Sequence, residues 1–266
     1  MGGDGAKGVR DVVRPASKGL VAALLLLAAY SPGRLPAQGV RAAGWAGYED
    51  VTDDRDWTVL GGQLTLVGRR GHGAWLAAER LGRFGARDVT ARLGGVLHPG
   101  ARWWLTAEVA TSAAPAFAPR NAWEADASTL LGPRTGAGLG YRRQNYRMGA
   151  VNVVMPHLRL EAGRTWWDAR VYVSRNPSER TDVAFLIRAT RPAGRRATVW
   201  VGGGAGRESY VVGIPPVVQS LETVTGIAGV RYTAAGGTTF RVDLSIVRSR
   251  PVLSRRGVTV GIARGF

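Results

Sequence analysis

The chain has no cysteine, so it has neither a disulfide framework nor a lipid-modified N-terminal cysteine. It has no lysine beyond Lys18 and only three histidines in 266 residues. Its longest apolar run, LVAALLLLAAY (Leu20–Tyr30), falls well short of the about 20 residues that a membrane-spanning helix takes. Helical spacing of apolar residues competes nowhere beyond that run. Without cysteine or paired histidines at ligand spacing, no metal site is expected, and no cofactor. The glycine-rich stretches GGQLTLVG (Gly61–Gly68) and GGGAG (Gly202–Gly206) lack a following helix and a lysine, so they are not phosphate loops.

What is present begins with an export signal. Lys7, Arg10, Arg14 and Lys18 precede the apolar run, and SPGRLPAQ comes after it with a small residue, Ala37, before Gln38. That three-part layout predicts a signal peptide over residues 1–37 and an exported domain over 38–266. Removing five basic and two acidic residues leaves 31 against 17, a net charge of +14 carried entirely by arginine. Arginine's planar fork suits phosphate and carboxylate partners, although a GC-rich coding sequence also writes Arg for Lys. Export argues against nucleic acid as a partner despite the basic balance.

The exported part alternates with a period of two. In Thr238–Ser249, Phe240, Val242, Leu244 and Ile246 share one face, while Arg241, Asp243 and Ser245 share the other. Thr165–Ser174 and Thr181–Thr190 repeat the pattern. Short Gly/Pro-rich turns (RRGHG, HPGA, GPRTG, EAGR, RPAGRR, AAGG) alternate with longer, more charged connections such as Glu49–Asp56, Thr111–Ala122 and Gly204–Ser220. Together they cut the chain into about 14 segments of the length of tilted membrane strands. The fold class expected is all-β: a transmembrane antiparallel β-barrel of about 14 strands, within limits of about 12 to 16.

Trp75, Trp103, Trp104, Trp166, Trp167, Trp200 and Phe240 each come shortly after a short turn, as a periplasmic aromatic girdle requires. Trp57 and Trp123 come after long loops, where an outer belt would lie. The chain ends VTVGIARGF, with Val258, Val260, Ile262 and Phe266 on one face of a last strand. Such a strand closes the barrel on the first, so that no edge meets lipid. It is the expected assembly signal, read by the barrel-assembly machinery.

Asp56-Trp57, ERLGRFGARD (Glu79–Asp88), GYRR (Gly140–Arg143) and the terminal Phe266 together resemble the YaiO family of outer-membrane β-barrel proteins, over about Gly44 to Phe266. The resemblance implies a fold and a location in the outer membrane, in contact with its lipid and lipopolysaccharide. It implies no established activity.

With the apolar face toward lipid, Glu108, Glu124, Asp126, Asp168, Arg170, Arg188, Arg231, Arg241 and Asp243 point into the lumen. Two readings are open. The charges pair into ladders that fill a closed, structural lumen, or they line a narrow channel for small polar solutes, leaning toward anions. Gly204–Ser220, with Pro215-Pro216, is the best candidate for a plug or lid. Arginines of the longer loops, among them Arg143, Arg248, Arg255 and Arg256, suggest a third role in holding lipopolysaccharide or an acidic polysaccharide, or assisting polysaccharide export. A lipid-modifying enzyme fits less well, because His72 and His98 lie in short turns and His157 reads as a hydrogen-bonded structural residue.

Overall fold

The computed structural model describes residues 39–52, 56–68, 71–178, 180–212, 217–250 and 253–266. The signal segment expected at 1–37 and the Pro215-Pro216 pair lie outside them. Fourteen strands succeed one another in chain order: β1 (Gly39–Val51), β2 (Trp57–Val67), β3 (Gly73–Arg83), β4 (Ala86–Gly100), β5 (Trp103–Ser112), β6 (Asn121–Leu130) and β7 (Thr135–Tyr146). The second half continues with β8 (Gly149–Ala162), β9 (Thr165–Arg175), β10 (Thr181–Ala193), β11 (Ala197–Val212), β12 (Val217–Thr233), β13 (Thr239–Arg250) and β14 (Leu253–Gly265). Each pairs antiparallel with its neighbours in sequence, and β14 pairs with β1, so the sheet is a closed barrel.

Closure satisfies every strand edge internally, which is what a hydrocarbon surround demands. The last residue takes part in it. The Phe266 N–H donates to the Val40 carbonyl at 2.8 Å, and Val40 N–H donates to the Phe266 carbonyl at 3.2 Å. The even strand number brings Gly39 and Phe266 to one rim, here the terminal rim, opposite the distal rim.

The side chains split by parity. Leu60, Leu64, Leu76, Leu139, Val183, Phe185, Leu244, Val260 and Ile262 stand exposed on the outer face, where lipid would cover them. Their strand neighbours turn inward.

The connections differ from expectation in one respect. The segments read as long distal loops are mostly strand. Asp50 pairs with Arg256, Glu49 with Gly257, and the hairpin of β11 and β12 stays in register out to Val212 opposite Val217. Phe84 and Gly85 alone join β3 to β4. Charged residues beyond the bilayer read as loop in the sequence, yet their backbones still gain by completing the ladder. Residues 204–212 and 217–220 are therefore hairpin wall. A Cβ at Gly204 would collide with the Phe185 carbonyl oxygen, so glycine there lets the wall curve.

Candidate functional site

The register places Glu108, Glu124, Asp126, Asp168, Arg170, Arg188, Arg231, Arg241 and Asp243 on the inward-facing parity of their strands. The acids of β3, β5 and β6 meet two arginines. Arg92 Nη2 lies 2.6 Å from Glu79 and its Nη1 lies 3.9 Å from Glu108, and Arg142 Nε lies 2.6 Å from Glu124. Trp75 Nε1 donates to Glu108 at 2.9 Å, holding the carboxylate from a second side.

Across the barrel, from β8 to β13, the balance reverses. Asp168 is shared by Arg159 at 3.0 Å and Arg188 at 3.4 Å. Arg241 grips Asp243 through Nε at 2.6 Å and Nη2 at 2.9 Å, with its guanidinium 5.1 Å above the Trp200 ring. Arg231 stands directly opposite Arg241 in the β12–β13 register. A cavity of about 570 Å³ opens here toward the terminal rim, lined by five arginines (Arg134, Arg159, Arg188, Arg231, Arg241) against two acids (Glu161, Asp168). Strands from β5 to β13 contribute to it, as only an enclosed lumen allows. An adjoining cavity of about 290 Å³ shares Thr198 and Arg231 with it and adds Arg41, Arg195 and Arg196, with no acid in its lining.

The aromatic girdle needs correction. Trp103, Trp167 and Phe240 face outward at 49%, 44% and 46% exposure. Trp75, Trp104, Trp166 and Trp200 turn into the lumen instead: Trp75 bonds Glu108, and the other three line the arginine-rich cavity. The reason is strand parity. In each Trp-Trp pair one ring must point inward, and Trp75 shares the face of Glu79. Trp57 is not in an outer belt either. It is 3% exposed inside the distal mouth, whereas Trp123 faces outward beside Tyr141, with ring centroids 4.8 Å apart.

Three lumen tryptophans lie flat on glycines directly opposite them: Trp45 on Gly61, Trp75 on Gly94 and Trp200 on Gly229. Each glycine leaves the space that the indole fills, so the ring packs on the wall rather than across the bore. His157 lies over Gly138 in the same way.

The distal mouth is where sequence reasoning missed most. Residues 113–120, between β5 and β6, fold inward and bury Phe117 and Ala118. Asp88, itself buried, accepts the backbone N–H groups of Ala116 (2.8 Å), Phe117 (2.9 Å) and Ala118 (2.7 Å). Phe84 stacks edge-on with Trp57 at 5.2 Å and Phe117 at 6.1 Å, while Arg83 and Arg255 lie 4.5 and 4.8 Å over the Trp57 ring. Arg255 Nη1 reaches Glu49 at 3.0 Å. A second cluster of Val151, Val153 and Met155, packed by Tyr146 and Tyr172, thickens the same half. The distal half of the lumen is thus narrowed by packing, yet a cavity of about 390 Å³ lined by Arg92, Glu108, Phe117 and Arg142 remains there, against about 570 Å³ in the terminal half. Asp88 and the Thr111–Ala122 connection are visible in the sequence, but nothing there links them.

His157 has hydrogen-bonding neighbours. Ser128 Oγ lies 3.2 Å from Nε2, and Asp126 Oδ2 lies 3.5 Å from Nδ1. The Ser128 hydroxyl also donates to Asp126 at 2.7 Å, so serine, histidine and aspartate form one hydrogen-bonded cluster. Among the described residues no group of three or more His, Cys, Asp or Glu side chains gathers as a metal site.

A family profile described as YaiO membrane beta barrel domain matches residues 46–211. Among curated proteins, none matches the chain. Solved structures share the fold at low identity. One described as the CymD monoaromatic hydrocarbon channel aligns with TM-score 0.62 and 9% identity, over 86% of this chain and 88% of that one. A bacterial polysaccharide outer membrane secretin aligns with TM-score 0.55 and 11% identity, over 85% and 98%. The Omp33 outer membrane protein of Acinetobacter baumannii aligns with TM-score 0.51 and 9% identity, over 85% and 98%.

Proposed function

The chain belongs to the YaiO family of outer-membrane β-barrels, and on that premise we propose that it is a narrow conduit for small anionic solutes. The terminal rim faces the periplasm, since barrels of this kind keep both ends of the chain there. One observation carries the reading: a hollow of about 570 Å³ inside the barrel presents five arginines against two acids. Such an excess in a low-dielectric enclosure raises the local concentration of anions and repels cations. Glu79, Glu108 and Glu124 of β3, β5 and β6 line a separate cavity and are paired there with Arg92 and Arg142, so they leave this excess in place.

The loop held by Asp88 packs Phe117 against Phe84 inside the distal mouth, which favours a second reading, a closed barrel with a structural role. Arg143, Arg248, Arg250 and Arg256 stand exposed near the distal rim on the outward parity, placed to meet the phosphates of lipopolysaccharide. On either reading the barrel's role is passive rather than catalytic.

Conductance in planar bilayers separates the readings. The conduit gives single-channel steps, and in a salt gradient its reversal potential lies on the anion side. Replacing Arg231 and Arg241 together by Gln moves that potential toward zero. A barrel that inserts but passes no current is the structural one.

A further inference from the structure

We infer that the hollow at the terminal rim is a binding subsite for a carboxylated oligosaccharide. The first observation is a surplus of guanidinium groups that the protein's own acids do not absorb. Asp168 already serves two arginines, and Asp243 is occupied by both reaching nitrogens of Arg241. Arg231 has no carboxylate partner among the described residues, yet it sits directly opposite Arg241. Like charges in that cross-strand position repel, and an anion between them removes the penalty. Beyond Arg231 the lining toward the rim is Arg41, Arg195 and Arg196, again without an acid. A single-charge ligand answers one fork of this series. A chain bearing an acid on each unit answers several.

The second observation separates a sugar acid from a phosphate chain. Trp166 and Trp104 line the same cavity as the arginines, and Trp166 is exposed to it. An inorganic polyanion gains nothing from an indole face. The C–H face of a pyranose ring packs on one, while its carboxylate takes an arginine fork in two parallel hydrogen bonds. Trp200 is excluded from that role, because Gly229 lies under one face and the Arg241 guanidinium over the other. It acts instead as a positioning residue for Arg241. Indoles and guanidinium groups interspersed around one hollow fit an oligomer of sugar acids rather than a neutral sugar or a bare anion.

The inference rests on the conduit reading for the route by which a solute enters, but binding is measured without conduction. The barrel, folded in detergent and checked by its heat-modifiable gel shift, is titrated calorimetrically with tetragalacturonate, maltotetraose and tetrapolyphosphate. Tetragalacturonate binds and maltotetraose does not. Arg231→Gln weakens tetragalacturonate by about tenfold, the worth of one charge-assisted contact. Trp166→Ala weakens it also and leaves polyphosphate binding where it was, the readout that a general loss of structure would not give. Equal binding of maltotetraose, no binding of tetragalacturonate, or a Trp166→Ala variant that binds it as the parent does, each overturns the inference. Binding retained in a barrel that passes no current removes the conduit and leaves the subsite. Current without binding does the reverse.

Discussion

Trp200 and Gly229 face each other across β11 and β12, and the indole occupies the place of the missing side chain: a Cβ on residue 229 would collide with the ring's Cζ2. The ring in turn supports Arg241, so a glycine on one strand sets the position of a lumen cation on the next.

Gly229→Val therefore expels the indole and frees Arg241. The expected cost is about 1–3 kcal/mol, the range for overpacking a fitted contact. It is read as a lowered urea midpoint for the barrel in lipid. Gly226→Val, in the same strand but with nothing within 4 Å of its Cβ, leaves the midpoint near that of the parent. Equal losses at the two sites remove the role given to the pair.

Asp88→Ala removes the acceptor for three backbone N–H groups and unpins the loop that carries Phe117. Conductance rises, and residues 113–120 become open to protease added from the distal side. The loss in stability is about 1–3 kcal/mol per N–H left buried without a partner, less whatever water recovers. Unaltered conductance in a cleaved loop places the constriction elsewhere.

Phe266→Ala leaves the two backbone hydrogen bonds to Val40 intact while removing the exposed terminal ring. Refolding from urea into detergent proceeds as in the parent. In cells the heat-modifiable fraction in the outer membrane falls, because the loss is in recognition of the last strand and not in its pairing. A defect of the same size in both settings makes the phenyl group structural.

The strand series was legible because a period of two over ten or more residues has no competing explanation, and because turn residues mark every hairpin on the terminal side. Which tryptophans face lipid was less so. Distance from a turn fixes a ring's height along the strand, but parity fixes its face, and height alone puts Trp75 and Trp200 in the girdle. Their opposite glycines were the missing signal, legible only once the register puts residue 75 beside 94 and 200 beside 229. The Asp88 contact was beyond reach for another reason. A carboxylate that collects amide groups about 28 residues away leaves no periodicity and no local motif.

The paired amides of Val40 and Phe266 make the wall a ring in which no strand is first. Joining the two ends by a short linker and opening the chain at Phe84-Gly85 would keep every ladder and every lumen contact in place. The strand then presented last would be β3, whose outward residues are not those of β14. Shape and destination are thus written separately: the first in the circular order of strands, the second in where the circle is cut.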